Sequence, residues 1–138
     1  MLFQREWQAV LPVPVWTSSL LLLSGLSAAG VVTVDAGSLL ADQLSAAGAP
    51  FGTTIEGLAA GPMFQRSLLN DKAALATAGA RARAGTVASA MRLTARCSAL
   101  STIVLECPNM PPYAAAVRAA TGRTVLDTTT LLRQRFQT

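Results

Sequence analysis

The chain reads as an α/β domain with a parallel sheet of about four strands flanked by helices. Three observations carry this. Short β-branched runs alternate with alanine- and leucine-rich stretches of helical composition. The runs are apolar throughout rather than alternating, which is the pattern of strands covered on both faces. Four of the seven acids, Asp35, Glu56, Glu106 and Asp127, stand where those runs end.

The elements follow in order. Residues 2–10 read as the last turns of a helix. Residues 12–17 read as a short strand, followed by the polar step Thr17-Ser18-Ser19 and a short helix over 20–26. Val31, Val32 and Val34 mark a buried strand over 30–34 that ends at Asp35. A helix over 38–47 follows, with Asp35 or Ser38 as N-cap and Gly48 past its end. Residues 51–55 form the next strand candidate, ending at Glu56. A short helix is expected over 62–69. Asn70 or Asp71 then caps a long alanine-rich helix reaching Cys97. Gly79 and Gly85 are unfavourable inside it, so close packing against the sheet is the expected compensation. Residues 102–106 are a strongly apolar strand. Two prolines then open a helix over 114–121 that stops at Gly122. The last strand is 124–126, ending at Asp127, and the last helix is 129–136.

With 138 residues the chain amounts to at most one ordinary domain or a piece of a larger one, and a hydrophobic fraction of 51% is enough for a real core and argues against disorder. The net charge is +4. Arg81, Arg92 and Arg96 fall within an arc of roughly 60° on a helix. A phosphate-binding stripe is one reading. A solvated helix face is the simpler one, since no aromatic platform or nucleic-acid motif accompanies the arginines. No nucleic-acid partner is expected.

Histidine is absent. That removes the commonest general base and every Ser-His or Cys-His arrangement. Two cysteines without a histidine do not make an ordinary zinc site, so no metal is expected. Cys97 ends a helix and Cys107 ends the following strand, which places them at opposite edges of the sheet. Two unpaired thiols fit a reducing cytoplasm.

Residues 7–34 contain no charge, a run long enough to span a bilayer. Pro12, Pro14, Gly25 and Gly30 interrupt it. Two buried strands and a loop account for the same run, and Glu6 with the two prolines fits a signal peptide badly. No membrane partner is expected. Gly57 and Gly61 have small-xxx-small spacing outside any apolar span, so that match carries little weight.

The four acids at strand ends admit two readings: a polar rim around a ligand at the sheet edge, or caps for the elements that follow. Cys107 is the most informative residue among them. It stands between a buried strand and a helix start, where the helix N-terminus favours a thiolate.

Leu105-Glu106-Cys107-Pro108-Asn109-Met110-Pro111-Pro112-Tyr113, followed by Ala120-Thr121-Gly122 and Val125-Leu126-Asp127, resembles the aspartate/glutamate/hydantoin racemase superfamily. Residues 12–21 and 30–36 resemble it as well, in the same order. The resemblance covers nearly the whole chain, and the cysteine motif is its specific part. It implies a Rossmann-like half of a two-domain fold, in which two α/β domains face each other and each contributes one cysteine. The implied chemistry is cofactor-independent proton transfer at a carbon next to a carboxylate or carbonyl. One thiolate removes the proton, and a thiol on the other side returns one. By resemblance Cys107 is the second of these thiols and Asn109 helps hold the carboxylate, with Thr17 and Ser18 as further substrate-binding candidates. The implied ligand is a small carboxylate or an amino-acid-like molecule.

Two departures accompany the resemblance. The chain opens just past the place of the family's first cysteine motif, so the first domain and its thiol are expected to be absent and two-base racemisation impaired. Pro108 stands where the family carries threonine, which removes a hydroxyl and a backbone N–H beside the thiol. A one-thiol decarboxylase of malonate-type acids and a non-catalytic α/β remnant are the alternatives. A face left uncovered by a missing domain predicts self-association, and a homo-oligomer pairing two Cys107 sites is compatible with that.

Overall fold

In the computed structural model, which describes residues 3–59 and 75–137, four strands form one all-parallel sheet. They are β1 (Ala29–Thr33), β2 (Thr54–Gly57), β3 (Thr102–Leu105) and β4 (Thr124–Leu126), in the order β2-β1-β3-β4. The fold class expected from the sequence is the one observed. The central strands β1 and β3 are buried at every position, while the edge strands β2 and β4 are partly exposed. That is why the β1 and β3 runs are apolar without alternation.

Successive side chains point to opposite faces and feed two cores. On one face Val32, Ile103, Leu105 and Val125 pack under Ala90 and Leu93 of α3 (Leu75–Arg96) and Ala114 and Val117 of α4 (Ala114–Thr121). On the other, Ala29, Val31 and Val104 pack under Leu20 and Leu23 of a 3-10 turn (Ser19–Leu23), and Leu44 of α2 (Ala41–Ala46) packs against them. Fully burying each such side chain stabilises by about 1.5–3 kcal/mol. The last helix, α5 (Thr128–Phe136), starts at a cap: the Asp127 carboxylate accepts from the Thr130 N–H at 2.8 Å.

Two glycines are required by close approach. A Cβ on Gly30 would lie 2.9 Å from Leu100 Cδ1, and one on Gly57 only 2.8 Å from the Ala36 backbone nitrogen. The helix glycines behave otherwise than expected. A Cβ on Gly79 would meet nothing within 4 Å, and one on Gly85 only an ordinary contact with Leu58 at 3.8 Å. Close packing does not account for them.

Residues 12–17 form no strand, contrary to the sequence expectation. Their backbone partners are side chains of α1 (Gln4–Val10). Gln8 Nε2 donates to Val13 O at 3.2 Å, and Gln8 Oε1 accepts from Val15 N at 2.9 Å. One turn back, Gln4 Nε2 donates to Val15 O, and its Oε1 accepts from Thr17 N at 3.0 Å. Two amides four residues apart on one helix face thus stand in for a strand edge. Pro12 and Pro14, with no N–H, occupy the alternate positions.

Other boundaries differ by a few residues. The expected helix over 20–26 is the 3-10 turn, and that over 38–47 divides into a 3-10 turn (Ala36–Ser38) and α2. The expected strand over 51–55 begins only at Thr54. The helix expected over 62–69 and its neighbour's cap at 70–71 lie outside the described residues. No helix among the described residues is long and apolar enough to cross a membrane.

Candidate functional site

The strand order decides where a ligand site belongs. From the C-terminal end of β1 the chain turns toward β2, and from the end of β3 it turns toward β4. The connections diverge between these two central strands, and such a switch point leaves a crevice beyond the strand ends. A cleft of about 210 Å³ lies there, lined by Thr33, Val34, Asp35 and Ser38 after β1 and by Glu106, Cys107 and Pro108 after β3.

The two walls are tied together. The Glu106 N–H donates to Val32 O at 2.9 Å, extending the β1–β3 ladder by one bond. Thr33 Oγ1 donates to Glu106 Oε2 at 3.0 Å. Below them the buried Ser19 hydroxyl donates to Leu105 O at 2.8 Å and lies 3.2 Å from Glu106 O. Met110, also buried, anchors the loop after the thiol in the core, and Tyr113 packs beside it.

Cys107 is half-buried, and burial pushes its thiol above the ordinary value. The Asn109 backbone N–H pulls the other way, the Glu106 charge pushes it further up, and the Asn109 side-chain amide lowers it. The balance is a thiol that is protonated at neutral pH, not the thiolate expected from the helix start. Burial is the main reason, and the backbone adds to it. Pro108, Pro111 and Pro112 have no N–H to aim at sulfur, and α4 begins only at Ala114.

The other sequence candidates sort as follows. Asn109 serves the sulfur directly. Thr17 donates its hydroxyl to Gln4 Oε1 at 2.8 Å, and Ser18 Oγ accepts from Leu20 N at 3.1 Å as the cap of its turn. Neither lines the cleft. The neighbouring Ser19, which holds the end of β3, was legible only as part of the polar step before the leucine run.

The four strand-end acids divide between the two readings. Asp35 fits both, lining the cleft while it caps a turn by accepting from Gly37 N at 3.0 Å and Ser38 Oγ at 2.7 Å, and Asp127 caps α5. Glu106 lines the cleft. Glu56 does neither: it binds Arg92 at 2.9 Å and Arg96 at 2.8 Å. Those two arginines also donate to Gly57 O and Ile55 O, so they fasten α3 to the edge strand. They form no phosphate stripe; Arg81 and Arg96 are both exposed, but Arg96 is tied to Glu56.

Cys97 is free, as is Cys107, and it lines a shallow pocket at the opposite edge of the sheet with Ala29, Phe51 and Thr54. Compared with known proteins, the chain matches no family model, no curated protein and no solved structure.

Proposed function

We propose that this chain carries a thiol half-site for cofactor-independent proton transfer at a carbon next to a carboxylate or carbonyl, as in the racemase superfamily it resembles. The observation that carries the reading is Cys107 itself, a half-buried thiol lining the cleft at the switch point with Asn109 beside it. A protonated thiol suits the donating step: the S–H bond breaks, and its proton goes to a carbanionic carbon. Asn109 supports this twice, since its N–H and amide hold the thiolate that the step leaves behind. The same property favours, as a second reading, the one-thiol decarboxylase, in which a thiol protonates an enediolate.

The ligand class in this proposal is a small carboxylate or amino-acid-like molecule, and two unpaired thiols fit a reducing compartment. Self-association belongs to the same proposal. Phe3, Trp7, Val10 and Leu11 form one stripe of α1, and all are exposed.

The test is inversion measured by chiral chromatography on single enantiomers of aspartate, glutamate and 5-substituted hydantoins. The wild-type chain should interconvert at least one pair and Cys107→Ala none, whereas Cys97→Ser should match wild type. Interconversion by Cys107→Ala at the wild-type rate would remove the thiol from the chemistry.

A further inference from the structure

We infer that Glu106 is the general base of this site and Cys107 its general acid, so that one chain holds a complete proton-transfer pair. The inference rests on the proton-transfer reading above and supplies the group which that reading lacks, a base in the same cleft as the donating thiol. The superfamily's own device for that role is a second cysteine, and Cys97, on the other sheet edge, does not reach the cleft.

The geometry supports a carboxylate in that role. Glu106 and Cys107 line the same cleft. They are consecutive residues, yet different elements hold them. The Glu106 carboxylate is tied to the end of β1 through Thr33 Oγ1 at 3.0 Å. Cys107 stands on the loop after β3, packed against the core cluster that holds Met110. Thr33 engages Oε2 alone, and Oε1 has no hydrogen bond among the described residues. A base needs one oxygen fixed and one open, and this carboxylate has both. The cleft walls carry no arginine or lysine that would pair with it. Arg92 and Arg96 are committed to Glu56 at the edge of the sheet.

The steps balance with no further reagent than water. Glu106 Oε1 takes the proton from the substrate carbon, and the C–H electron pair stays on the substrate as an enolate. Cys107 gives its S–H proton to the other face of that carbon, and the S–H electron pair stays on sulfur as a thiolate. After product release the Glu106 acid gives its proton to water and the Cys107 thiolate takes one from water, which restores both groups.

The experiment separates base from acid. In D2O, loss of the Cα proton of the same single enantiomers is followed by proton NMR, alongside inversion by chiral chromatography. Cys107→Ala should still exchange the proton, because Glu106 removes it and returns a deuteron, but should not invert. Glu106→Gln should lose both, with exchange falling by about a hundredfold or more, the usual contribution of a general base. Its amide oxygen can still accept from Thr33, and an unchanged thermal midpoint by circular dichroism would show that the loss is chemical. Exchange in Glu106→Gln at the wild-type rate would overturn the assignment while leaving Cys107-dependent inversion, and so the underlying reading, intact. Loss of exchange in Cys107→Ala would make the thiol the base and overturn it as well. Absence of both exchange and inversion in the wild type would sink the reading and the inference together.

Discussion

Thr33 and Glu106, 73 residues apart, meet at 3.0 Å where β1 and β3 end, hydroxyl to carboxylate. The bond closes the floor of the cleft and fixes the carboxylate beside Cys107. It lies one position beyond the last paired residues of the ladder, Val32 and Leu105, and continues their register with side chains.

Thr33→Val keeps the shape and removes the donor. A hydrogen bond to a charged group contributes about 1.5–3 kcal/mol when fully buried, and the partial exposure of Glu106 brings the expected loss to about 1 kcal/mol. Urea unfolding should show a lower midpoint with an unchanged slope. An unchanged midpoint would mean that water replaces the threonine without cost.

Cys107 should resist alkylation at neutral pH. With burial as the main cause, the midpoint of its iodoacetamide labelling should lie above that of a free thiol. Glu106→Gln should lower that midpoint by removing a repelling charge, and Asn109→Ala should raise it by removing the side-chain amide while the backbone N–H stays. The sign for stability follows. The fold favours the protonated thiol, so this contribution is present below the unfolded thiol's pKa and is lost as pH rises through the folded one. Labelling below the free-thiol midpoint would contradict the burial argument.

The glycines give a paired test. Gly57→Ala should cost about 1–3 kcal/mol, because the new Cβ would lie 2.8 Å from the Ala36 nitrogen and backbone cannot yield as a side chain does. Gly79→Ala should stabilise by about 0.5–1 kcal/mol, since its Cβ meets nothing and alanine costs less entropy in a helix. Thermal midpoints of the two variants should move in opposite directions.

Trp7→Ser should weaken self-association. Trp7 is 55% exposed at the centre of the α1 stripe, and Gln4 and Gln8, which hold residues 13–17, are left untouched. Sedimentation velocity should show the wild type sedimenting faster with rising concentration and the variant much less so. A wild type that stays monomeric at all concentrations would exclude association through this face.

What could be read from the residues alone was whatever local chemistry decides. β1 and β3 were legible because burial on both faces leaves only apolar choices, and Asp127 and Gly122 because a helix start and a helix stop need those residues nearby. The same local signal misled at residues 12–17. Val13, Val15 and Trp16 are as strand-like as Val31 and Val32, but a strand requires a neighbouring ladder, and here two glutamine side chains supply the partners instead. The sequence also named Cys107 and the acids around the sheet edge. It did not say which acids would line the cleft with the thiol, because Glu56 was claimed by arginines 36 and 40 residues away. Tertiary structure alone decided the strand order, and with it the place where the connections diverge and the cleft opens. It also decided the charge on the thiol. A helix start is a local feature that favours the anion, and Glu106 is a chain neighbour legible in the sequence, whereas the burial that is the main cause of the raised Cys107 thiol exists only once β1 and β3 lie side by side.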